Sequence, residues 1–208
     1  EITPVARELD ATGEFPKNLV HQMAELGLMG IPIPESLGGA GMDTVAYAAA
    51  VMELARADAS VAITMAAHTS LGTMPIVIAG SEEQKKKFVP PLASGEMIGA
   101  FGLTEPDAGS DAGATKTTAV KKGDEYILNG GKIFITNVGE AGILNLTARV
   151  IEGDEDKGIG AFIIETNTPG LIINPKEKKM GWCASDTRQI FFEDMAVPAK
   201  NMLGTPGI

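Results

Sequence analysis

The feature that most constrains the fold is a change in the spacing of apolar residues near Ser94 and Gly95. Before this point, apolar side chains recur every three or four residues, as from Leu19 to Leu28, which is the period of an α-helix. After it, the apolar segments are short, rich in β-branched residues and bounded by Gly, Asn, Asp or Pro, which is typical of strands. The sequence therefore predicts an α+β protein of two domains, an N-terminal all-α helical domain (1–94) and an antiparallel β-sandwich or barrel domain (95–208).

Capping and turn residues at the ends of these segments predict where individual elements begin and end. Four helices are expected over residues 17–29, 43–57, 60–78 and 81–91, the last with a capping box at Ser81 to Gln84 and an end at Pro90-Pro91. In the second half, Lys122-Gly123-Asp124 and Asn129-Gly130 predict hairpin turns, because Gly and Asn accept a positive φ. The chain opens as a helix already under way and has no initiator methionine, so we expect a fragment of a longer polypeptide.

Charge and cysteine content exclude several classes of function. The chain has 17 basic and 27 acidic residues and a net charge of −10, which predicts no binding of nucleic acid or of an anionic membrane. The single cysteine, Cys183, cannot form an internal disulfide, so we expect a reducing, cytoplasmic setting. The most apolar stretch is interrupted by His68, Thr69 and Ser70, so no membrane span is expected.

A loop rich in glycine, serine and threonine follows the first expected strand. It runs from Phe101 to Gly113 with the sequence FGLTEPDAGSDAG. Backbone N–H groups and hydroxyls in such a loop can bind an anion such as a pyrophosphate. The loop lacks the spacing of a dinucleotide fingerprint or a P-loop, and Asp107 and Asp111 would repel a phosphate unless they point away. The residues alone leave a structural turn and an anion-binding loop both open.

Two motifs together resemble the paired flavin motifs of the acyl-CoA dehydrogenases. They are FGLTEPDAGSD (101–111) and NGGKIFITN (129–137). Other stretches similar to this family lie at 26–41, 80–96, 168–170 and 185–198, so the resemblance covers the whole chain. Two positions depart from the family pattern: Phe134 stands where many members have tryptophan, and Asp107 where glycine or asparagine is commoner.

The resemblance implies FAD as the cofactor and assigns roles to residues of both motifs. The expected cofactor-binding residues are Phe101, Leu103, Thr104, Gly109, Ser110, Phe134, Ile135 and Thr136. Gly109 and Ser110 would face the pyrophosphate, with Ser110 also near the pantetheine arm of an acyl-CoA substrate. The Thr136 hydroxyl would lie at flavin N5, where a donor stabilises the negative charge of the reduced ring.

The implied reaction is α,β-dehydrogenation of an acyl-CoA thioester to the 2-enoyl-CoA, with hydride transfer to FAD N5. In the family a carboxylate on a C-terminal helical domain removes the α-proton, so no catalytic residue is assigned here. The resemblance also implies an electron-transfer flavoprotein as acceptor, a homotetramer, and a mitochondrial matrix location in a eukaryote. Two alternatives stay open: an acyl-CoA oxidase or flavin monooxygenase of the same fold, and a non-catalytic acyl-CoA-binding module.

Other polar residues are weaker candidates for chemistry. His21 and His68 are expected at the surface or in helix packing, and Cys183 is expected to be a packed thiol. No cluster of His, Cys and carboxylates has metal-ligand spacing, so no metal is expected. Glu105, inside the first motif, is expected to be structural rather than the catalytic base.

Overall fold

The computed structural model describes residues 1–207 of the chain. Its helices are α1 (Ile2–Thr12), α2 (Lys17–Glu25), α3 (Thr44–Ala57), α4 (Ala59–Ala67), a π-helical segment (His68–Thr73), α5 (Met74–Ala79) and α6 (Glu82–Ala93). Its strands are β1 (Gly99–Gly102), β2 (Thr118–Lys122), β3 (Glu125–Thr136), β4 (Ile143–Glu152), β5 (Glu155–Glu165), β6 (Leu171–Ile173), β7 (Thr187–Pro198) and β8 (Met202–Leu203). A helical half thus precedes a β half, as the change of apolar spacing predicts.

Local capping sets most helix boundaries. The Ser81–Gln84 capping box is present, with each side chain bonded to the other residue's backbone N–H. The expected end at Pro90-Pro91 is wrong, because α6 continues to Ala93. Pro90 and Pro91 have no N–H, so the carbonyls of Lys86 and Lys87 receive no helical hydrogen bond from them. Both lysines are exposed, and water can donate to these carbonyls instead. The expected helix over 17–29 is also too long, since Gly27, at φ 73°, ends α2.

The central helix is continuous from Ala59 to Ala79 through α4, the π-helical segment and α5. Its length of 21 residues and a mean hydropathy of 1.5 over its most apolar window would suffice to cross a membrane, which the sequence analysis did not expect. However, 56% of that window is buried inside the protein, and a core helix of a globular domain has the same composition. The absence of a membrane span stays a prediction.

The strands form one mostly antiparallel sheet in the order β6-β7-β3-β2-β4-β5-β8, with β1 also paired to β4. The sheet is mostly antiparallel, as expected, but β1 and β2 both pair with β4 in parallel. The two strands lie one after the other along the same edge of β4, opposite residues 143–146 and 149–151. The chain between them, residues 103–117, therefore leaves this edge and returns to it, and it carries the first motif.

The two expected hairpin turns have different outcomes. Gly123, at φ 62°, lies in the turn between β2 and β3, as predicted. Asn129-Gly130 is not a turn, because β3 runs straight through it to Thr136 with a bulge between Leu128 and Gly130. Gly130 has a φ of 141° and approaches Thr117 so closely that a Cβ would lie 2.7 Å from the Thr117 Cα. This glycine accommodates a bulge and a close backbone approach rather than a reversal.

Candidate functional site

The two motifs meet where β1 ends. The Ile133 N–H donates to the Thr104 carbonyl at 2.8 Å, and the Lys132 ammonium donates to the Leu103 carbonyl at 2.9 Å. Two consecutive residues of the first motif are thus bonded to two consecutive residues of β3. The loop after Thr104 and the strand that ends at Thr136 therefore form one continuous surface.

The expected cofactor-binding residues divide by exposure. Phe134 is 64% exposed and has a φ of 59°, a left-handed conformation that is strained for a bulky residue. Thr104 and Thr136 are half-buried, and Gly109 and Ser110 are exposed. Ile135 is only 2% exposed and packs in the hydrophobic core of the sheet. Its side chain cannot line a ligand on this surface, so only its backbone is available there.

Three hydroxyls of the expected set are without internal partners. Within residues 1–207, the side chains of Thr104, Ser110 and Thr136 make no hydrogen bond to the protein, whereas Thr115 and Thr117 nearby bond to the carbonyls of Ala112 and Gly131. Thr104 and Thr136 are half-buried and Ser110 is exposed, so all three hydroxyls can be reached from outside the protein. The free hydroxyls suit a ligand with polar edges, such as a flavin.

The loop combines a structural turn with an open segment. Glu105 and Ala108 exchange two backbone hydrogen bonds at 3.0 and 3.1 Å, which closes a tight turn over Pro106 and Asp107. Beyond it, the N–H groups of Gly109 and Ser110 donate to no acceptor within residues 1–207. Asp107 forms an ion pair with Lys116 at 2.7 Å, which offsets the negative charge that would oppose an anion. A structural turn and a segment with free N–H groups thus occupy successive parts of this loop, and anion binding by the second part stays a prediction.

A buried ion pair lies beneath this surface. Glu105 is 5% exposed and Lys132 is fully buried, with 2.7 Å between Glu105 Oε1 and Lys132 Nζ. Glu105 also accepts hydrogen bonds from the backbone N–H groups of Lys116 and Thr117 at 2.7 and 3.1 Å. Burial favours a higher pKa for Glu105, but these hydrogen bonds outweigh it and lower the pKa. With both oxygens occupied, Glu105 is structural, as expected, and unsuited to proton abstraction.

Comparison with known proteins decides the family. Residues 1–96 match the family model of the acyl-CoA dehydrogenase N-terminal domain, and residues 100–195 match that of the acyl-CoA dehydrogenase middle domain. The chain belongs to the acyl-CoA dehydrogenase family. The two models meet between α6 and β1, close to the expected domain boundary after residue 94.

Individual relatives of the acyl-CoA dehydrogenase family are similar over the full length of this chain. It is 49% identical over 207 residues to an acyl-CoA dehydrogenase of Bacillus subtilis, which covers 100% of this chain and 55% of the relative. The structure of butyryl-CoA dehydrogenase from Megasphaera elsdenii has a TM-score of 0.93 and 45% identity, over 99% of this chain and 55% of that one. An acyl-CoA dehydrogenase of Bacillus anthracis solved in complex with FAD has a TM-score of 0.84 and 44% identity, over 90% and 32% of the two chains. The chain thus spans about half the length of the curated relatives it matches.

The remaining candidates lie apart from the motifs of this acyl-CoA dehydrogenase chain. His68 is fully buried, where its Nε2 lies 3.0 Å from the Leu92 carbonyl. His21 is exposed and lies 3.4 Å from Glu25. Cys183 is half-buried and burial raises its pKa, which suits an unreactive thiol. Residues 1–207 hold no group of three His, Cys or carboxylate side chains arranged for a metal.

The buried Lys132, which bonds the two motifs to each other, was not among the residues expected from the sequence. A lysine in a strand is most often solvated, and no local pattern marks Lys132 as buried. Its partner Glu105 lies 27 residues away in the sequence. The one available clue was that Glu105 and Lys132 lie in the two motifs that the family resemblance pairs.

Proposed function

We propose that the protein binds FAD on the surface formed by Phe101 to Thr104 and Phe134 to Thr136, and catalyses the α,β-dehydrogenation of an acyl-CoA thioester. The observation that carries the proposal is the direct bonding of the two motifs, through Ile133 to Thr104 and Lys132 to Leu103, beside unpartnered hydroxyls. FAD, when bound, would accept the hydride that leaves the β-carbon of the substrate. The FAD complex of the Bacillus anthracis relative supports the choice of cofactor.

The residues of this chain would bind and orient the cofactor. The hydroxyls of Thr104 and Thr136 are available to donate to the polar edge of the ring, and Phe134 presents an aromatic side chain. The free N–H groups of Gly109 and Ser110 are available to bind a pyrophosphate. No residue described here is assigned as the base, because Glu105 is fully hydrogen-bonded within the protein. The base is expected in the part of the relatives that this chain does not span.

The proposal is tested with the intact protein. We expect it to purify as a yellow protein, or to become yellow with added FAD, and to lose its flavin absorbance under anaerobic conditions when butyryl-CoA is added. A short acyl chain is the first choice because the relative from Megasphaera elsdenii is a butyryl-CoA dehydrogenase. A protein that stays colourless with excess FAD contradicts the proposal. Rapid reoxidation of the reduced flavin by air would favour an oxidase or monooxygenase instead.

A matched pair of threonine variants tests the site itself. Thr136→Val removes a hydroxyl that has no partner within residues 1–207, whereas Thr118→Val removes one that lies 3.5 Å from the Asn129 carbonyl. We expect Thr136→Val to slow flavin reduction by about 10²–10³-fold, the usual effect of removing one donor to a developing charge. Thr118→Val should leave the rate unchanged. Equal rates in both variants would place the reactive edge of the flavin elsewhere.

We further propose that the intact protein is a homotetramer that passes electrons to an electron-transfer flavoprotein. The family assignment supports both statements. The helical half also exposes large apolar side chains, which suits an interface with further segments or subunits: Leu26, Val45, Met52 and Ile78. Light scattering of the intact protein tests the assembly, and flavin reoxidation by an added electron-transfer flavoprotein tests the acceptor. A monomer, or an acceptor without effect, would contradict the corresponding statement.

A further inference from the structure

Every polar group of the buried Glu105–Lys132 pair is hydrogen-bonded, as buried charges require. The Lys132 ammonium donates three hydrogen bonds, to Glu105 Oε1 at 2.7 Å, to the Leu103 carbonyl at 2.9 Å and to Thr147 Oγ1 at 3.3 Å. Thr147 in turn donates to the Gly102 carbonyl at 3.3 Å. The ammonium thus uses its full donor capacity without any water.

The pair connects four parts of the chain. Glu105 belongs to the first motif and also accepts from the backbone where the loop rejoins the sheet, at Lys116 and Thr117. Lys132 belongs to the second motif, and Thr147 lies on β4 in the gap between the segments that pair with β1 and β2. The hydrogen bonds of the two charged groups therefore fix the start and the end of the loop and connect it to β4.

Net stabilisation does not explain the pair. Removing two charges from water costs several kcal/mol for each ion, and a buried pair seldom does better than apolar side chains of the same volume. An apolar pair would, however, leave the Leu103 carbonyl without its ammonium donor. It would also remove two opposite charges from a region of low dielectric, where charges act strongly on a neighbouring group.

We propose that Glu105 and Lys132 are positioning residues that set the reduction potential of the flavin, in addition to holding the two motifs together. This inference rests on the proposed function, because it requires FAD on the surface above the pair. Glu105 follows Thr104 in the sequence, and the Lys132 ammonium is bonded to the Leu103 carbonyl, so both charged residues adjoin the segment expected to bind the flavin. Because the reduced ring is the more negative form, an unbalanced positive charge favours reduction and an unbalanced negative charge opposes it.

Each charged group would keep hydrogen-bond partners when the other is removed, although burial lowers the pKa of Lys132 and only Glu105 raises it. In Lys132→Met, Glu105 keeps two backbone donors, the N–H groups of Lys116 and Thr117. In Glu105→Gln, the ammonium keeps the Leu103 carbonyl, the Thr147 hydroxyl and the amide oxygen of the new glutamine. With the remaining group ionised, the two variants leave opposite net charges in the same place.

The test is the midpoint potential of the FAD-loaded intact protein, measured by spectroelectrochemical titration without substrate. Glu105→Gln should raise the potential and Lys132→Met should lower it. The matched control is Asp107→Asn, which removes the same charge two residues from Glu105. Asp107 is exposed and paired to exposed Lys116, so water screens its charge and the potential should stay unchanged. The double variant Glu105→Gln/Lys132→Met restores neutrality and should return the potential to that of the unmodified protein.

Several outcomes would overturn the inference. Shifts of the same sign in the two single variants, no shift in either, or a shift in Asp107→Asn as large as in Glu105→Gln would each show that the buried charges do not act on the ring. Loss of the folded state in both single variants, judged by circular dichroism, would show that the pair serves folding alone. If the unmodified protein takes up no FAD, the proposed function fails and the inference fails with it. A yellow unmodified protein with the wrong pattern of shifts contradicts only the inference.

Discussion

The buried imidazole of His68 should make the stability of this protein depend on pH well above the range of its carboxylates. His68 lies at the start of the π-helical segment, and both of its ring nitrogens are engaged. Nδ1 accepts from the Gly99 N–H at 2.9 Å, and Nε2 lies 3.0 Å from the Leu92 carbonyl, to which it must donate. The ring is therefore neutral when the protein is folded. A proton on Nδ1 would meet the Gly99 N–H and break that hydrogen bond.

The size and sign of the effect follow from the shift in pKa. Burial lowers the pKa of His68 from its ordinary value of 6.5 to about 4, against the opposing effect of the hydrogen bond to the Leu92 carbonyl. The unfolded chain then binds a proton at a higher pH than the folded protein does. Stability contributed by the neutral ring is complete above pH 6.5 and falls progressively as the pH drops towards 4. The total loss corresponds to about 3 kcal/mol, an order-of-magnitude figure at roughly 1.4 kcal/mol per pKa unit.

The assay is the free energy of unfolding by urea, measured at intervals across this range. His68→Gln cannot titrate, so its pH dependence should be flatter than that of the unmodified protein, even if its stability is lower throughout. His21→Gln, which removes the exposed histidine beside Glu25, should keep the unmodified slope. Carboxylates with lowered pKa values, Glu105 and Glu152, add their own loss only at the acidic end. Identical slopes for the unmodified protein and His68→Gln would refute the reasoning.

Three further predictions concern folding stability, measured by urea denaturation. Lys132→Met should lower the free energy of unfolding by about 3–5 kcal/mol because it leaves a buried charge unpaired. Lys87→Met removes one partner of an exposed ion pair and should lower it by less than about 1 kcal/mol. Equal losses in the two variants would show that burial is irrelevant. Gly72→Ala should cost about 1–3 kcal/mol because a Cβ would lie 2.5 Å from the backbone of β1, whereas Gly181→Ala, with open space, should change little. Phe134→Gly should raise the free energy of unfolding by about 1 kcal/mol, because glycine adopts a φ of 59° without strain. The same variant should bind FAD more weakly. A variant less stable than the unmodified protein would show that Phe134 is not strained.

Short-range patterns predicted the elements of this fold well, because caps, turns and apolar periods act over a few residues. The capping box at Ser81 and the turn at Gly123 are local in this sense, and both are present. Asn129-Gly130 has the same local chemistry as a hairpin turn, yet it lies inside β3. The decisive factor is the close approach of Thr117, which cannot be predicted from the residues next to Asn129-Gly130 in the sequence. Tertiary packing thus overrode the turn preference.

The contact between the two motifs was predictable from the sequence, but the buried residues that support this contact were not. The resemblance indicated the two motifs, and Thr104 and Ile133 are indeed bonded to each other. The buried pair that lies beneath them depends on contacts over 27 residues in sequence, and burial of a lysine has no local pattern. Ile135 shows the opposite case, in which the residue was named from its motif but the direction of its side chain was not predicted correctly. Its motif implied a side chain facing the cofactor, but the irregularity in β3 between Lys132 and Ile135 turns this side chain into the core.

The division into a helical and a β domain after residue 94 remains a prediction, and the contacts across it indicate that the two halves do not fold independently. Asn145 of β4 donates to the Gly72 carbonyl of the π-helical segment at 2.7 Å, and Asn137 donates to the Thr64 carbonyl at 2.9 Å. Ile143 and Ile163 of the sheet share one hydrophobic cluster with residues of α5 and α6. An isolated β half would expose these side chains and lose the helical acceptors of both amides. Because the first residue of β1, Gly99, is fixed by His68, the helical half also sets where the loop of residues 103–117 departs from the sheet.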